Sequence, residues 1–245
     1  DGEEGRFVAS SIFENKMQNQ LQNSDFAILY RTNAQSRSFE DALRKKNISY
    51  RVYGGLSFYQ RKEIKDVLAY LRLLINPDDE QAFKRIINFP ARGIGQTTLN
   101  KIAVEAKNSS VSDYIFIKDL LKSSEILNNS TKNKLLDFVI MIESIKNKIE
   151  HADVFDITKE VLKQSGLYNL YKNDESLEGI NRIQNIEELL NGIKDFVENN
   201  EKSQASVSSF LQDVALATDQ DNDTNDNNKV SLMTVHLAKG LEFPY

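Results

Sequence analysis

Three short apolar runs constrain this chain most: residues 25–30 (DFAILY), 49–53 (SYRVY) and 229–235 (KVSLMTV). The first is continuous, as suits a strand buried on both faces of a parallel sheet. The second alternates as a strand does, and Gly54-Gly55 breaks it. A helical pattern over 34–46 lies between them, and strand, helix, strand in that order predicts an α/β sheet. The third run comes only after a stretch that reads as almost wholly helical. Helices are expected there at 61–75, 79–88, 96–107, 131–149, 154–164, 177–199 and 206–217. The fold class expected is α/β, a parallel-sheet domain interrupted by a largely α-helical insertion, with the last strand returning to the first two. Before the sheet, Phe7, Val8, Ile12, Phe13, Met17 and Leu21 are spaced as the apolar stripe of a helix over 7–22. Segment 219–229 (DQDNDTNDNNK) has no apolar anchor and is expected to be a mobile loop.

The chain of 245 residues, 40% apolar and 27% charged, has the composition of an ordinary globular protein. It has no cysteine, which excludes disulfides, thiolate metal sites and cysteine nucleophiles. With His151 and His236 its only histidines, a histidine-rich metal site is excluded too. No apolar run has the length of a membrane span, and the first residues (DGEEGRF) do not resemble a signal peptide, so a cytoplasmic protein without membrane partners is expected. The sequence stops at Tyr245, just past Gly240-Leu241-Glu242-Phe243, and both ends are expected to be cuts in a longer protein. The net charge of −5 is unevenly spread: from Arg31 to Arg72 ten Lys/Arg face four Asp/Glu, a local balance of +6. Such a segment suits either one phosphate-contacting face or a solvated basic helix face.

Several motifs are absent or incomplete. Asp219-x-Asp221-x-Asp223 opens like a calcium loop, but Thr224 stands where the turn needs glycine and Val230 where a bidentate Glu belongs. No segment reads Gly-x4-Gly-Lys-Ser/Thr, the loop whose amides cradle nucleotide phosphates, so this chain alone should not hydrolyse ATP. Arg31 follows directly on an apolar strand, at the strand end where α/β sheets bind ligands. There it could meet a phosphate bidentately, or pair with a neighbouring carboxylate while Tyr30 packs inward. Pro90-Ala91-Arg92-Gly93-Ile94-Gly95 opens onto a helix, and either seats a phosphate on backbone amides or is an ordinary interhelical turn.

Four stretches taken together carry more. They are Leu29-Tyr-Arg-Thr-Asn-Ala-Gln-Ser-Arg37, Tyr53-Gly-Gly-Leu-Ser-Phe-Tyr-Gln-Arg-Lys-Glu-Ile-Lys-Asp66, Ala91-Arg-Gly-Ile-Gly95 and Met233-Thr-Val-His-Leu-Ala-Lys-Gly-Leu-Glu-Phe243. In this order the chain closely resembles the UvrD/PcrA/Rep family of superfamily-one ATP-dependent DNA helicases. The resemblance covers most of 7–107 and 229–245; residues 108–228 share only helical character and placement.

The resemblance implies the second RecA-like motor domain (2A) at 1–107 and 229–245, with the helical subdomain 2B inserted at 108–228. ATP with magnesium would be used by the complete protein, the magnesium ligands lying outside this chain. Tyr30 would stack on adenine, Arg31 would act as an arginine finger, and Glu242 would contact the ribose. Lys239 and Gly240 would link the nucleotide and DNA sites, with Thr234 and His236 near the DNA backbone. Phe58 and Arg61 would border a single-strand track beside Gly54-Gly55, and Arg92, Gly93 and Gly95 would lie near a duplex or junction. Implied partners are single-stranded DNA, tailed duplex DNA and the first motor domain of the same parent, with 3′–5′ movement in repair or replication restart. Leu237 departs from the family pattern, which often has a small residue there. Two other readings stay open: the helicase part of a helicase–nuclease, and a helical protein-interaction module.

Overall fold

The structure, a computed structural model, describes residues 2–123, 129–201, 204–221 and 227–245. Helix α1 (Gly2–Asn19) leads to β1 (Ala27–Tyr30), a short 3-10 turn at Asn33–Gln35 and α2 (Ser36–Lys45), then β2 (Tyr50–Val52). Helices α3 (Lys62–Ile75), α4 (Glu80–Ile86), α5 (Gln96–Asn108), α6 (Asp113–Ser123), α7 (Asn129–Lys146), α8 (Val154–Ser165), α9 (Leu167–Lys172), α10 (Leu177–Asn199) and α11 (Val207–Asp221) follow, and β3 (Val230–Thr234) comes last. β3 lies between β1 and β2, parallel to both, with Tyr30 opposite Thr234 and Val52 opposite Leu232. The third run becomes the central strand of the sheet, with Val230, Leu232 and Met233 buried, whereas the first, expected to be buried on both faces, lies beside it with Leu29 45% exposed, because β1 is paired on one side only among the described residues. Of the expected loop at 219–229, residues 219–221 close α11 and 222–226 lie outside the described residues.

The chain forms two compact units, residues 1–65 with 175–199 and 212–245, and residues 66–174 with 200–211. These packing units cut across the expected segments 1–107, 108–228 and 229–245. Helix α10 packs with the sheet unit, whereas residues 66–107 belong to the helical one.

In the sheet unit the core gathers Ala9 and Ile12 of α1, Ile28 and Tyr30 of β1, Phe39 and Leu43 of α2, and Val230 and Leu232 of β3. The stripe expected on α1 is rotated. Gly5, Ala9 and Ile12 face inward, while Phe7 and Met17 are 73% and 67% exposed. Gly5 explains this, because a Cβ there would lie 2.3 Å from the Ser38 carbonyl oxygen. The small residues let the backbone of α1 rest on α2, and that close approach turns the large side chains outward.

The helical unit is built around Phe83, Tyr114 and Phe138, whose ring centroids are 6.2–6.4 Å apart. Helix caps follow the sequence: Asp79 accepts from the Ala82 N–H, Asp153 from the Asp156 N–H, and Gly166 (φ +81°) closes α8 in the left-handed region. Helix α6 was not expected, since its Tyr-Ile-Phe-Ile run lacks an obvious helical period. Tertiary contacts set it: Glu80 accepts the Asp113 N–H at 2.7 Å, and Tyr114 and Ile117 are fully buried. Among the described residues no helix is long and apolar enough to cross a membrane.

Candidate functional site at the carboxyl end of the sheet

Parallel strands end together, and here the ends carry the motif residues. The ladder between β1 and β3 closes where the Val235 N–H donates to the Tyr30 carbonyl at 2.9 Å. Arg31 is the next residue on one side, and His236 follows on the other. Beyond β2, Gly54 (φ +73°) takes a conformation that favours glycine, and a Cβ there would meet Leu237 at 2.5 Å. Leu237, the residue that departs from the family pattern, thus uses the space over Gly54 and brings the turns after β2 and β3 together. Thr234 carbonyl accepts the Leu237 and Ala238 N–H groups and closes the second turn, and Gly240 (φ +87°) ends it.

The groups gathered here are mostly open. Arg31, His236, Lys239, Gly240 and Glu242 are exposed, and Thr234 is half-buried. The Arg31 guanidinium makes no hydrogen bond or ion pair with any described residue, and neither do the side chains of His236, Lys239 and Glu242. Of the two readings of Arg31, the internally paired one is not what is observed. A constitutive cation at the carboxyl end of a sheet strand is poised for an anionic ligand.

Tyr30 sits differently. Its ring is 4% exposed and stacks on Phe39 at 6.4 Å, inside the core. Burial, assisted by Glu40, pushes its hydroxyl up to about 12. Stacking on a base would require this ring face to leave Phe39. Phe58 is fully buried, and its N–H donates to Glu40. Arg61 is 8% exposed, its Cζ 5.1 Å from the Phe58 ring centroid. Its guanidinium donates to Ser36 Oγ at 2.7 Å, Asn185 Oδ1 at 2.8 Å and the Leu56 carbonyl at 3.4 Å. Burial pushes this guanidinium below the usual arginine value, with Glu40 opposing. Phe58 and Arg61 hold the unit together and have little surface left for a strand of DNA.

Residues missed in the sequence surround this end. Arg37 Nε donates to Glu188 at 2.7 Å and Nη1 to Asp41 at 2.8 Å, with Asp195 at 3.5 Å. Burial alone would lower its pKa, but Asp41 and Glu188 together hold it above the usual arginine range. Asn185 Nδ2 also donates to Glu63, so Arg37 and Arg61 between them fasten α10 to the sheet unit. Asp41 is a helical i,i+4 neighbour of Arg37, but the partners on α10 lie more than a hundred residues away in sequence, and no local spacing could have announced them. Arg44 and Arg72 are likewise engaged, with Asp41 and Asp79. The basic segment 31–72 therefore offers less free charge than its count of +6 suggests.

Arg92, Gly93 and Gly95 belong to the helical unit. Arg92 Nη1 donates to the carbonyls of Ile86, Ile87 and Pro90, and Nη2 to Tyr70 Oη at 2.7 Å. Its Cζ lies 5.1 Å from the Phe138 ring centroid. This arginine is the internal brace of the turn, not an open cation. Removing it leaves three carbonyls without a charged donor, so Arg92→Ala should destabilise the unit by about 2–4 kcal/mol in urea unfolding. A loss below about 1 kcal/mol would show that the brace is dispensable. Gly93 needs glycine for its φ of +68°, and Lys134 Nζ donates to its carbonyl at 2.9 Å. Gly95 precedes α5 with open space around it, and both glycines are exposed.

Among the described residues no three His, Cys, Asp or Glu side chains gather to hold a metal ion. The family model of the UvrD-like helicase C-terminal domain matches residues 1–245. ATP-dependent DNA helicase PcrA of Bacillus subtilis is 40% identical over 249 aligned residues, covering 98% of this chain and 33% of that protein. PcrA of Staphylococcus aureus (strain Mu50) and PcrA of Staphylococcus epidermidis are each 38% identical over 244 residues, covering 99% of this chain and 33% of theirs. The chain thus spans about a third of the length of these relatives, and with the whole of it matched it belongs to the UvrD-like helicase C-terminal domain family.

Proposed function

We propose that this chain is the second-motor-domain portion, with its helical insertion, of an ATP-dependent DNA helicase that moves 3′ to 5′ on single strands. The observation that carries the reading is the open Arg31 guanidinium beside the Thr234–Glu242 motif at the carboxyl end of the sheet. In the proposal Arg31 meets the γ-phosphate of ATP, and being permanently charged and already in place it stabilises the charge that develops there. Glu242 lies toward the ribose, and Lys239 and Gly240 join the nucleotide to the DNA contacts of Thr234 and His236. Tyr30 faces adenine only if its ring leaves Phe39; otherwise it anchors the strand that carries Arg31. In the proposal the inserted subdomain lies at 108–228, within the helical stretch that separates β2 from β3 in the chain. The turn that exposes Gly93 and Gly95 on either side of the buried Ile94, with Lys134, is the junction-facing element, and Phe58, Arg61 and Arg92 support their surroundings from within. The phosphate-binding loop and the magnesium ligands belong to a first motor domain, so the chain alone does not turn over ATP.

Unwinding of labelled duplexes by the full-length protein that carries this chain tests the proposal. ATP-dependent strand separation is expected on a duplex with a 3′ single-stranded tail, with little on a 5′-tailed one. Binding to both should weaken steeply as salt rises, because phosphate contacts release counterions. Absence of ATP-dependent unwinding on either substrate would leave the protein-interaction reading in its place, and preference for the 5′ tail would overturn the polarity alone.

A further inference from the structure

The sheet holds β1 only as far as the Tyr30 carbonyl, which accepts the Val235 N–H. Arg31 is the first residue past that ladder, and its guanidinium makes no hydrogen bond or ion pair with a described residue. Its backbone is nevertheless held. Gln35 Oε1 accepts the Arg31 N–H and the Thr32 N–H, each at 3.0 Å, and lies 3.5 Å from Thr32 Oγ1. One side-chain oxygen therefore takes over from the sheet where the ladder stops.

Gln35 is itself firmly placed. The next residue, Ser36, is fully buried, donates from Oγ to Glu40 at 2.6 Å and accepts from Arg61 Nη2. Arg37 follows, buried against Glu188 of α10. Gln35 thus projects from the anchored start of α2 back across the turn to the strand end. A polar cleft of about 220 Å³ beside it, lined by Glu4, Thr32, Gln35, Gln184, Glu187 and Asn191, leaves this side of the turn open instead of packed.

We infer that Gln35 is a positioning residue for Arg31, fixing the backbone from which the guanidinium reaches its anionic ligand. The inference rests on the phosphate-facing role proposed for Arg31. The same two hydrogen bonds would also be made by a side chain that merely caps the 3-10 turn, and the two roles differ in what they do to turnover. Both donors are on the exposed side of the turn, so water replaces the acceptor when it is lost and folding is little affected. A misplaced catalytic group, in contrast, costs up to about 100-fold in rate.

The test uses Gln35→Met, which keeps the length of the side chain and removes the acceptor, in the full-length protein. Single-stranded-DNA-stimulated ATP hydrolysis is measured alone and combined with Arg31→Ala. Expected is a fall in kcat of about 10- to 100-fold, with KM for ATP and DNA affinity changed less than about twofold and Tm lowered by no more than about 4 °C. In the Arg31→Ala background Gln35→Met should change kcat by less than about twofold, since effects of groups acting as one unit do not add. An equal fall in both backgrounds, or unchanged kcat beside a severe Arg31→Ala loss, would overturn the positioning role while leaving Arg31 in place. If Arg31→Ala itself keeps full activity, it is the phosphate-facing reading of Arg31 that falls.

Discussion

Replacing Arg31 with alanine in the full-length protein should lower DNA-stimulated ATP turnover by about a thousandfold or more, the scale of an arginine that stabilises a transferring phosphoryl group. The size follows from where the residue stands. A surface arginine on a helix would lose little, because its charge is screened and its side chain mobile. Arg31 extends from the end of β1, with its backbone held by Gln35 and its guanidinium without a hydrogen bond or ion pair to a described residue. Its contribution should be greatest in the transition state, so kcat should fall far more than KM rises. Arg31→Lys should recover only part of the loss, since an ammonium keeps the charge without the planar fork. Single-turnover hydrolysis with radiolabelled ATP measures this directly. Turnover within threefold of wild type for Arg31→Ala would remove the residue from the phosphate site. Folding of the variant is not in question, because an exposed guanidinium without described partners contributes little to stability.

Arg37→Ala should have the largest effect on stability, about 3–5 kcal/mol in urea unfolding of the sheet unit. Arg37 and Glu188 are 5% and 9% exposed at the side chain, so removing the guanidinium leaves Glu188 as an uncompensated buried carboxylate. Asp195→Ala, by comparison, should cost less than about 1 kcal/mol, since Asp195 is 46% exposed and 3.5 Å away. Gly192 gives the site its shape: a Cβ there would fall 2.5 Å from Arg37 Nη1, so only glycine lets the guanidinium lie against α10. An Arg37→Ala loss below about 1 kcal/mol would mean that α10 is held by its apolar face alone. The paired replacement Arg37→Met with Glu188→Leu should be much milder than Arg37→Ala, because no charge is then left buried.

The sheet and most helices were legible because their signals are local. Short apolar stretches mark the strands: AILY gives β1, buried on one face with Leu29 45% exposed, and Val230, Leu232 and Met233 give the buried positions of β3. The return of the third strand to the sheet followed from the same logic, since a short apolar strand after a helical excursion has an existing sheet to join, while its central place and its register, Tyr30 opposite Thr234, came only from the structure. Arg31 was legible as a candidate because an arginine directly after such a strand is placed at a ligand-binding edge. Gln35 could have been found in the same way: Thr32-x-x-Gln35 has the spacing of a cap.

What the sequence by itself determined was thus the order of elements, the end of the sheet where the motif residues meet, and the lack of a phosphate-binding loop. The tertiary structure alone decided which arginines remain open. Arg31, Arg37, Arg61 and Arg92 all lie in the motif stretches, yet three are turned inward onto Glu188, Asn185 and the carbonyls of Ile86, Ile87 and Pro90. The direction of α1 was decided the same way, by Gly5 against Ser38 instead of by its largest apolar residues. The physical reason is common to both. Whether a charge or an apolar face is buried depends on partners brought close by folding, and those that Arg37 and Arg61 find on α10, 124 to 158 residues away, leave no periodicity in the chain.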